Sequence, residues 1–256
     1  MRIDRKVGAS IAVLGSLLLA VSGAVPALAG NGPAAGFSHV TGIRFAGTVN
    51  ATSTGFGGWV FGVKAAKSVT AEFKVPTLKC TSTTSGILPF AALQSGSATS
   101  PKTSAGGVLL VCQSGSPVAA ATVIVNNTQT NDTTNALHVG DLMKATVTIS
   151  ATKTTATIAD LTVGHTFKFT KSGTGGTAID EAIIDDSLVN TSGQQLPVVN
   201  FGKISYSKAA VGGKAIGTVT PRTAVNMQKR TGTLQILTGA ITGTAKNAFP
   251  TTFKHA

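Results

Sequence analysis

The chain has 256 residues and a formal net charge of +12, from 21 Lys and Arg against nine Asp and Glu. The basic residues are scattered singly, with Lys229-Arg230 the nearest approach to a cluster, and there is one Trp and one Tyr. Composition therefore argues against nucleic-acid binding, which needs a basic groove interleaved with stacking aromatics, and leaves a charge suited to long-range attraction toward anionic cell-surface polymers.

Arg2, Arg5 and Lys6 precede an apolar run over residues 7–21, which ends at Ala27-Leu28-Ala29. This is the pattern of a secretory signal peptide cleaved after Ala29. The run falls short of the ~20 apolar residues that a spanning helix needs, and no later segment supplies them. The mature chain is thus expected to be exported, monomeric and without a membrane span. Cleavage would remove three basic residues and Asp4, taking the charge from +12 to +10. Residues 30–54, rich in Gly, Ala and Thr, have the character of a linker or propeptide-like segment, and residues 55–256 that of one domain. In an exported chain Cys80 and Cys112, the two cysteines present, are expected to form a disulfide; two buried thiols are the other possibility.

Within the domain, VTAEFKV at 69–75 alternates apolar and polar residues, as do stretches within 143–149, 154–158, 165–169 and 201–206. A period of two built on Val, Ile, Thr and Phe predicts strands with one buried face. Clusters of Gly, Ser, Thr, Asn and Pro at 81–86, 95–107, 126–135 and 172–177 predict turns and surface loops. No capped amphipathic helix is evident after the leader. The predicted class is all-β, an antiparallel sandwich of two packed sheets. His39, His138, His165 and His255 have no metal-ligand spacing, and neither a metal nor a cofactor is expected.

The segment DEAIIDD, residues 180–186, gathers four of the nine carboxylates. On a strand, Glu181, Ile183 and Asp185 would share one face, and Asp180, Ala182, Ile184 and Asp186 the other. Two expectations stay open. Carboxylates aimed into a sheet would have pKa values raised by desolvation and mutual repulsion; a solvated acidic loop would merely offset nearby lysines.

From Trp59 onward, the order of motifs resembles the glutamic peptidases of the eqolisin (G1) family. GGWVFGV and VTAEFKVPTLKC match its Trp-containing start and its "TVP" strand with a following cysteine, and GVLLVC matches its second cysteine strand. VGDLMKATVTIS, ADLTVGHTFKF and FGKISYS follow in family order, and DEAIIDD falls where the family has "AEWIVED". GTVTPRTAVNMQKR and FPTTFKHA echo its closing strands. The resemblance covers residues 55–256 and implies a secreted, concanavalin-like β-sandwich.

It also implies site residues. The family's general base, a Glu that activates water, corresponds to Asp185. Its oxyanion-stabilising Gln falls on Ala105 when counted from the cysteine strand, where no side-chain donor exists. Matching LQSG at 93–96 to the family's "LQTG" would instead make Gln94 the donor, although this deletes a strand. Phe90 stands where the family has a cleft Trp, and Trp59, Phe90 and Glu181 are the expected substrate-binding residues. Residues 122–125, Thr-Val-Ile-Val, replace aromatic and acidic cleft positions. The expectation is a secreted module that has lost its catalytic pair and binds an extracellular polypeptide or an anionic cell-surface polymer. The alternative is an acid-active endopeptidase using Asp185 with Gln94, and a carbohydrate-binding lectin is the third possibility.

Overall fold

The structure, a computed structural model, describes residues 51–63, 66–97, 100–172, 179–187, 189–191 and 194–256. The signal peptide expected over residues 1–29 and nearly all of the segment 30–54 lie outside the described residues.

Among the described residues there are eighteen strands and one short 3-10 turn (Ile216–Thr218). In chain order the strands are β1 (Ala51–Ser53), β2 (Phe56–Gly62), β3 (Ser68–Lys74), β4 (Ser85–Ser97), β5 (Ser100–Gln113) and β6 (Ser116–Val125). Then come β7 (Thr128–Asn131), β8 (Leu142–Ile149), β9 (Lys153–Asp160), β10 (His165–Ser172), β11 (Ile179–Ser187) and β12 (Asn190–Thr191). The last are β13 (Gln194–Gln195), β14 (Lys203–Val211), β15 (Lys214–Ala215), β16 (Arg222–Gln228), β17 (Leu234–Thr238) and β18 (Phe249–Phe253).

Hydrogen-bonded neighbours run in the order β10-β9-β8-β3-β14-β18-β17-β16-β2-β11-β4-β5-β6-β7. This path folds into two layers at β14. The start of β14 pairs with β18 in the larger sheet, and its end pairs with β3 in the smaller one. Between Ser207 and Ala210 the register slips by one residue, and Lys208 sits at φ 47. An extra residue bends a strand in this way at a β-bulge. The predicted antiparallel sandwich is therefore the fold, with one parallel addition, β1 on β16.

The layers meet through small residues and rings. A Cβ at Gly106 of β5 would collide with the Thr157 carbonyl oxygen of β9 in the facing sheet, so only glycine permits that approach. Phe61, Phe73, Tyr206 and Phe249 fill the core; Tyr206 stacks on Phe249 at 4.8 Å and tilts against Phe73 at 5.5 Å. Cys80, beyond β3, is joined to Cys112 near the end of β5, with a Cα–Cα distance of 5.4 Å.

Three expectations about loops change. Within 95–107 the described residues are strand, the end of β4 and the first half of β5, and Gly106 there permits close approach of the facing sheet. Residues 126–135 contain β7, which extends the sheet beside β6. Ala51–Ser53, expected in the linker, adds β1 to the domain. The 172–177 loop falls almost wholly outside the described residues.

Candidate functional site

The acidic segment forms β11 and lies inside the larger sheet, between β2 and β4. Position, rather than propensity, makes a strand of so acidic a sequence: Ala182, Ile183 and Ile184 are buried among neighbouring strands. Glu181 is 6% exposed, Asp185 1% and Asp186 0%, which removes the solvated-loop expectation for these residues.

Residues directly opposite on paired strands share a face, so the registers of β11, β4 and β5 define three rows on one face. Asp185 is opposite Phe90, which is opposite Gly107. Ile183, Ala92 and Ala105 make the next row, and Glu181, Gln94 and Thr103 the third. Gln94 Nε2 donates to Thr103 Oγ1 at 2.8 Å, and Gln94 Oε1 is buried with no hydrogen-bond partner among the described residues. Gln94 thus lies in the row of Glu181, four residues along the strand from the level of Asp185, about 13 Å at 3.3 Å per residue. The register does not set Gln94 across from Asp185. Phe90 holds that place, and because successive rows on one face are two residues apart along β5, Ala105 lies one row from Gly107.

On the β2 side, Asp185 faces Gly58. A Cβ there would run into the Asp185 backbone, so glycine is what lets the two strands close around this residue. Burial pushes the Asp185 carboxyl well above its ordinary range; the neighbouring Asp186 charge adds to the effect, and the Ser187 hydroxyl, 3.5 Å away, opposes it.

Asp186 points the other way, into the core between the sheets. Tyr206 Oη lies 2.7 Å from Asp186 Oδ1 and 2.8 Å from the Asp185 carbonyl oxygen. Burial raises Asp186 to about 7, against the lowering influence of the Thr251 and Tyr206 hydroxyls, and burial together with the Asp186 charge raises the Tyr206 phenol well above its usual value. Thr251 Oγ1 has no hydrogen-bond partner among the described residues. Sequence reasoning missed this pair, although Tyr206 is the sole Tyr of the chain and Asp186 sits one residue from the candidate base.

Trp59 also leaves the expected arrangement. It is opposite Ile184 on β11 and Ala224 on β16, on the face opposite to that of Asp185 and Phe90. It lines a cleft of about 420 Å³ with Arg222, Ala224, Thr238, Gly239, Ala240 and Ile241. Its indole Nε1 donates to the Gly239 carbonyl oxygen at 3.1 Å, and its ring packs beside Phe61. Among the described residues no three His, Cys, Asp or Glu side chains are grouped to hold a metal. His165 Nε2 lies 2.7 Å from Asp132 Oδ2, and Asp132 also accepts from Thr134.

The model of the peptidase A4 family matches residues 54–247, most of the chain and all of the strands that form the three rows. The chain belongs to the peptidase A4 family, the eqolisins. Solved A4-type structures share its fold. Scytalido-glutamic peptidase, solved with a transition-state analogue inhibitor, superimposes with a TM-score of 0.64 at 12% identity, covering 80% of this chain and 100% of that one. SCP-B, an eqolisin solved with the tripeptide Ala-Ile-His, gives 0.59 at 15% identity over 80% of this chain and 100% of its own. Aspergilloglutamic peptidase from Aspergillus niger gives 0.54 at 16% identity over 66% of this chain and 99% of that one. No curated protein matches the sequence. The chain carries a carboxylate at Asp185, and the other side chains in its row and the next are Phe90, Ile183, Ala92 and Ala105.

Proposed function

We propose that this A4-family protein is an exported, non-catalytic binding module that keeps the peptidase sandwich without its reaction. The row pattern around Asp185 carries this reading. An attacked peptide carbonyl develops negative charge that a positioned amide must stabilise, and loss of one such donor costs about 100-fold to 1000-fold in rate. Beside Asp185 stand a phenyl ring and a glycine, the position matched to the family's Gln is Ala105, and the amide of Gln94 is turned toward Thr103. Shortening the base from Glu to Asp retracts the carboxylate further, and a misplacement of about 1 Å can cost another 100-fold.

Export is supported by the leader-like start of the sequence and by the disulfide, a bond kept in oxidising compartments. Among the described residues no helix is long and apolar enough to cross a membrane. The partners this surface suits are an extracellular polypeptide or an anionic cell-surface polymer.

The test is incubation of the purified protein with denatured casein across acid pH, beside an Asp185→Ala variant. No cleavage by either protein is expected. Hydrolysis by the wild type that Asp185→Ala abolishes would establish the acid endopeptidase instead, and Gln94→Ala would then report whether that amide takes part.

A further inference from the structure

The cleft beside Trp59 lies on the face of the sheet opposite to that of Asp185, so ligand binding there is independent of whether Asp185 is catalytic. Its walls are of two kinds. Trp59, Ala224, Ala240 and Ile241 supply apolar surface, and Arg222 supplies a guanidinium. The Arg222 Nη1 donates to the Val219 carbonyl oxygen at 2.8 Å, while Nε is buried with no hydrogen-bond partner among the described residues. None of the ion pairs among the described residues involves Arg222. The guanidinium is therefore tethered at one nitrogen, partly withdrawn from water and not balanced by any carboxylate in those ion pairs. Such a charge is costly until an anion meets it, and a charged acceptor gives hydrogen bonds roughly twice as strong as a neutral one.

The rest of the cleft is held in place. Thr238 N donates to Asn226 Oδ1 at 2.9 Å and its hydroxyl donates to the Val225 carbonyl oxygen, pinning the end of β17 just before Gly239 and Ala240. The indole is fixed from the same segment through Gly239. A pre-formed wall avoids ordering cost on binding, and a volume near 420 Å³ falls within the roughly 300–1,000 Å³ of small-molecule sites.

We propose that this cleft binds a small carboxylate with a flat apolar body, the carboxylate meeting Arg222 and the body lying against the Trp59 indole. Trp59 is the sole tryptophan of the chain, so indole fluorescence reports this cleft and nothing else. The experiment titrates the full chain with benzoate and phenylacetate, and in parallel with benzamide and phenylacetamide, which keep the shape and lose the charge. Saturable fluorescence changes are expected, with each carboxylate binding about 10-fold tighter than its amide, the ratio that corresponds to ~1.4 kcal/mol. Arg222→Gln should erase the preference for carboxylate, and Ala240→Phe, at the exposed rim, should weaken acid and amide alike. Equal affinity for acid and amide in the wild type, no saturable response at millimolar ligand, or a carboxylate preference that survives in Arg222→Gln would each overturn the proposal. The comparison of acid with amide needs no variant, so it decides the matter even where Arg222→Gln does not fold.

Discussion

The hydroxyl of Tyr206 lies 2.7 Å from the carboxyl of Asp186 in the core between the two sheets, where both side chains are withdrawn from water. A β14 residue thereby donates to one oxygen of a β11 acid, whose Oδ2 is buried with no hydrogen-bond partner among the described residues, and joins the strand that links the layers to the strand that bears the candidate site. Replacing Tyr206 with Phe should cost about 1–3 kcal/mol, the penalty for a buried acceptor left without its donor. The loss should be greater above about pH 7, where Asp186 is ionised and a charged acceptor suffers most. Urea unfolding of wild type and Tyr206→Phe at two pH values measures both effects; equal midpoints at each pH would refute the assignment.

Asp186 also sets a direction for the pH dependence of stability. Its folded value is raised to about 7 from an ordinary 3.8, so the folded chain holds the proton more tightly than the unfolded one. The resulting stability is fully present below about pH 4 and is lost as pH rises through about 7. A gap of this size corresponds to a change on the order of 4 kcal/mol, and Asp185, also raised by burial, acts in the same sense. Asp186→Asn should flatten the fall over this window. Denaturation midpoints that climb with pH between those limits would contradict the account.

Gly106 tests the spacing of the layers. Gly106→Ala puts a methyl group against the Thr157 carbonyl oxygen of the facing sheet, which must move, and overpacking of this kind costs about 1–3 kcal/mol. Gly55→Ala meets nothing closer than the Ser53 hydroxyl at 3.9 Å and should stay within about 0.5 kcal/mol of wild type. Thermal unfolding of the two variants side by side separates a packing effect from a general intolerance of alanine.

The Cys80–Cys112 bond spans 32 residues of sequence. Closing a loop of that length restricts the unfolded chain by about 3–4 kcal/mol on the entropy model. A double Cys→Ala variant should therefore unfold at markedly lower denaturant, and reduction of the wild type should reproduce the shift. An unchanged midpoint after complete reduction would show that the bridge adds nothing to folding.

Local pattern encodes some of this fold and leaves the rest unwritten. The alternation of VTAEFKV and of residues 143–149 announces strands because Val69, Ala71, Phe73, Met143, Ala145 and Val147 fall on buried faces, but it does not foresee that Glu72, on the polar side of β3, is also buried, paired with Lys208 at 3.1 Å. The stretch 95–107 hides its strands, since Gly, Ser, Thr and Ala have the same composition in a turn as in a strand, and only the fold brings Gly106 against the facing sheet. Alternation along DEAIIDD correctly separates Asp185 from Asp186, whose carboxyl turns into the core. It cannot give the partner of Asp185, because that depends on pairing between strands far apart in the chain. The level of Gln94, opposite Glu181 rather than Asp185, is such a long-range fact. So is the position of Trp59 on the far face, beside an arginine 163 positions later in the numbering (222 minus 59).

Because β14 begins in one sheet and ends in the other, it works as a covalent hinge pin: peeling either layer away must break the pairing of a segment that also anchors its opposite. Heat or mechanical pulling should consequently dismantle the two layers in a single step, leaving no half-sandwich that survives alone.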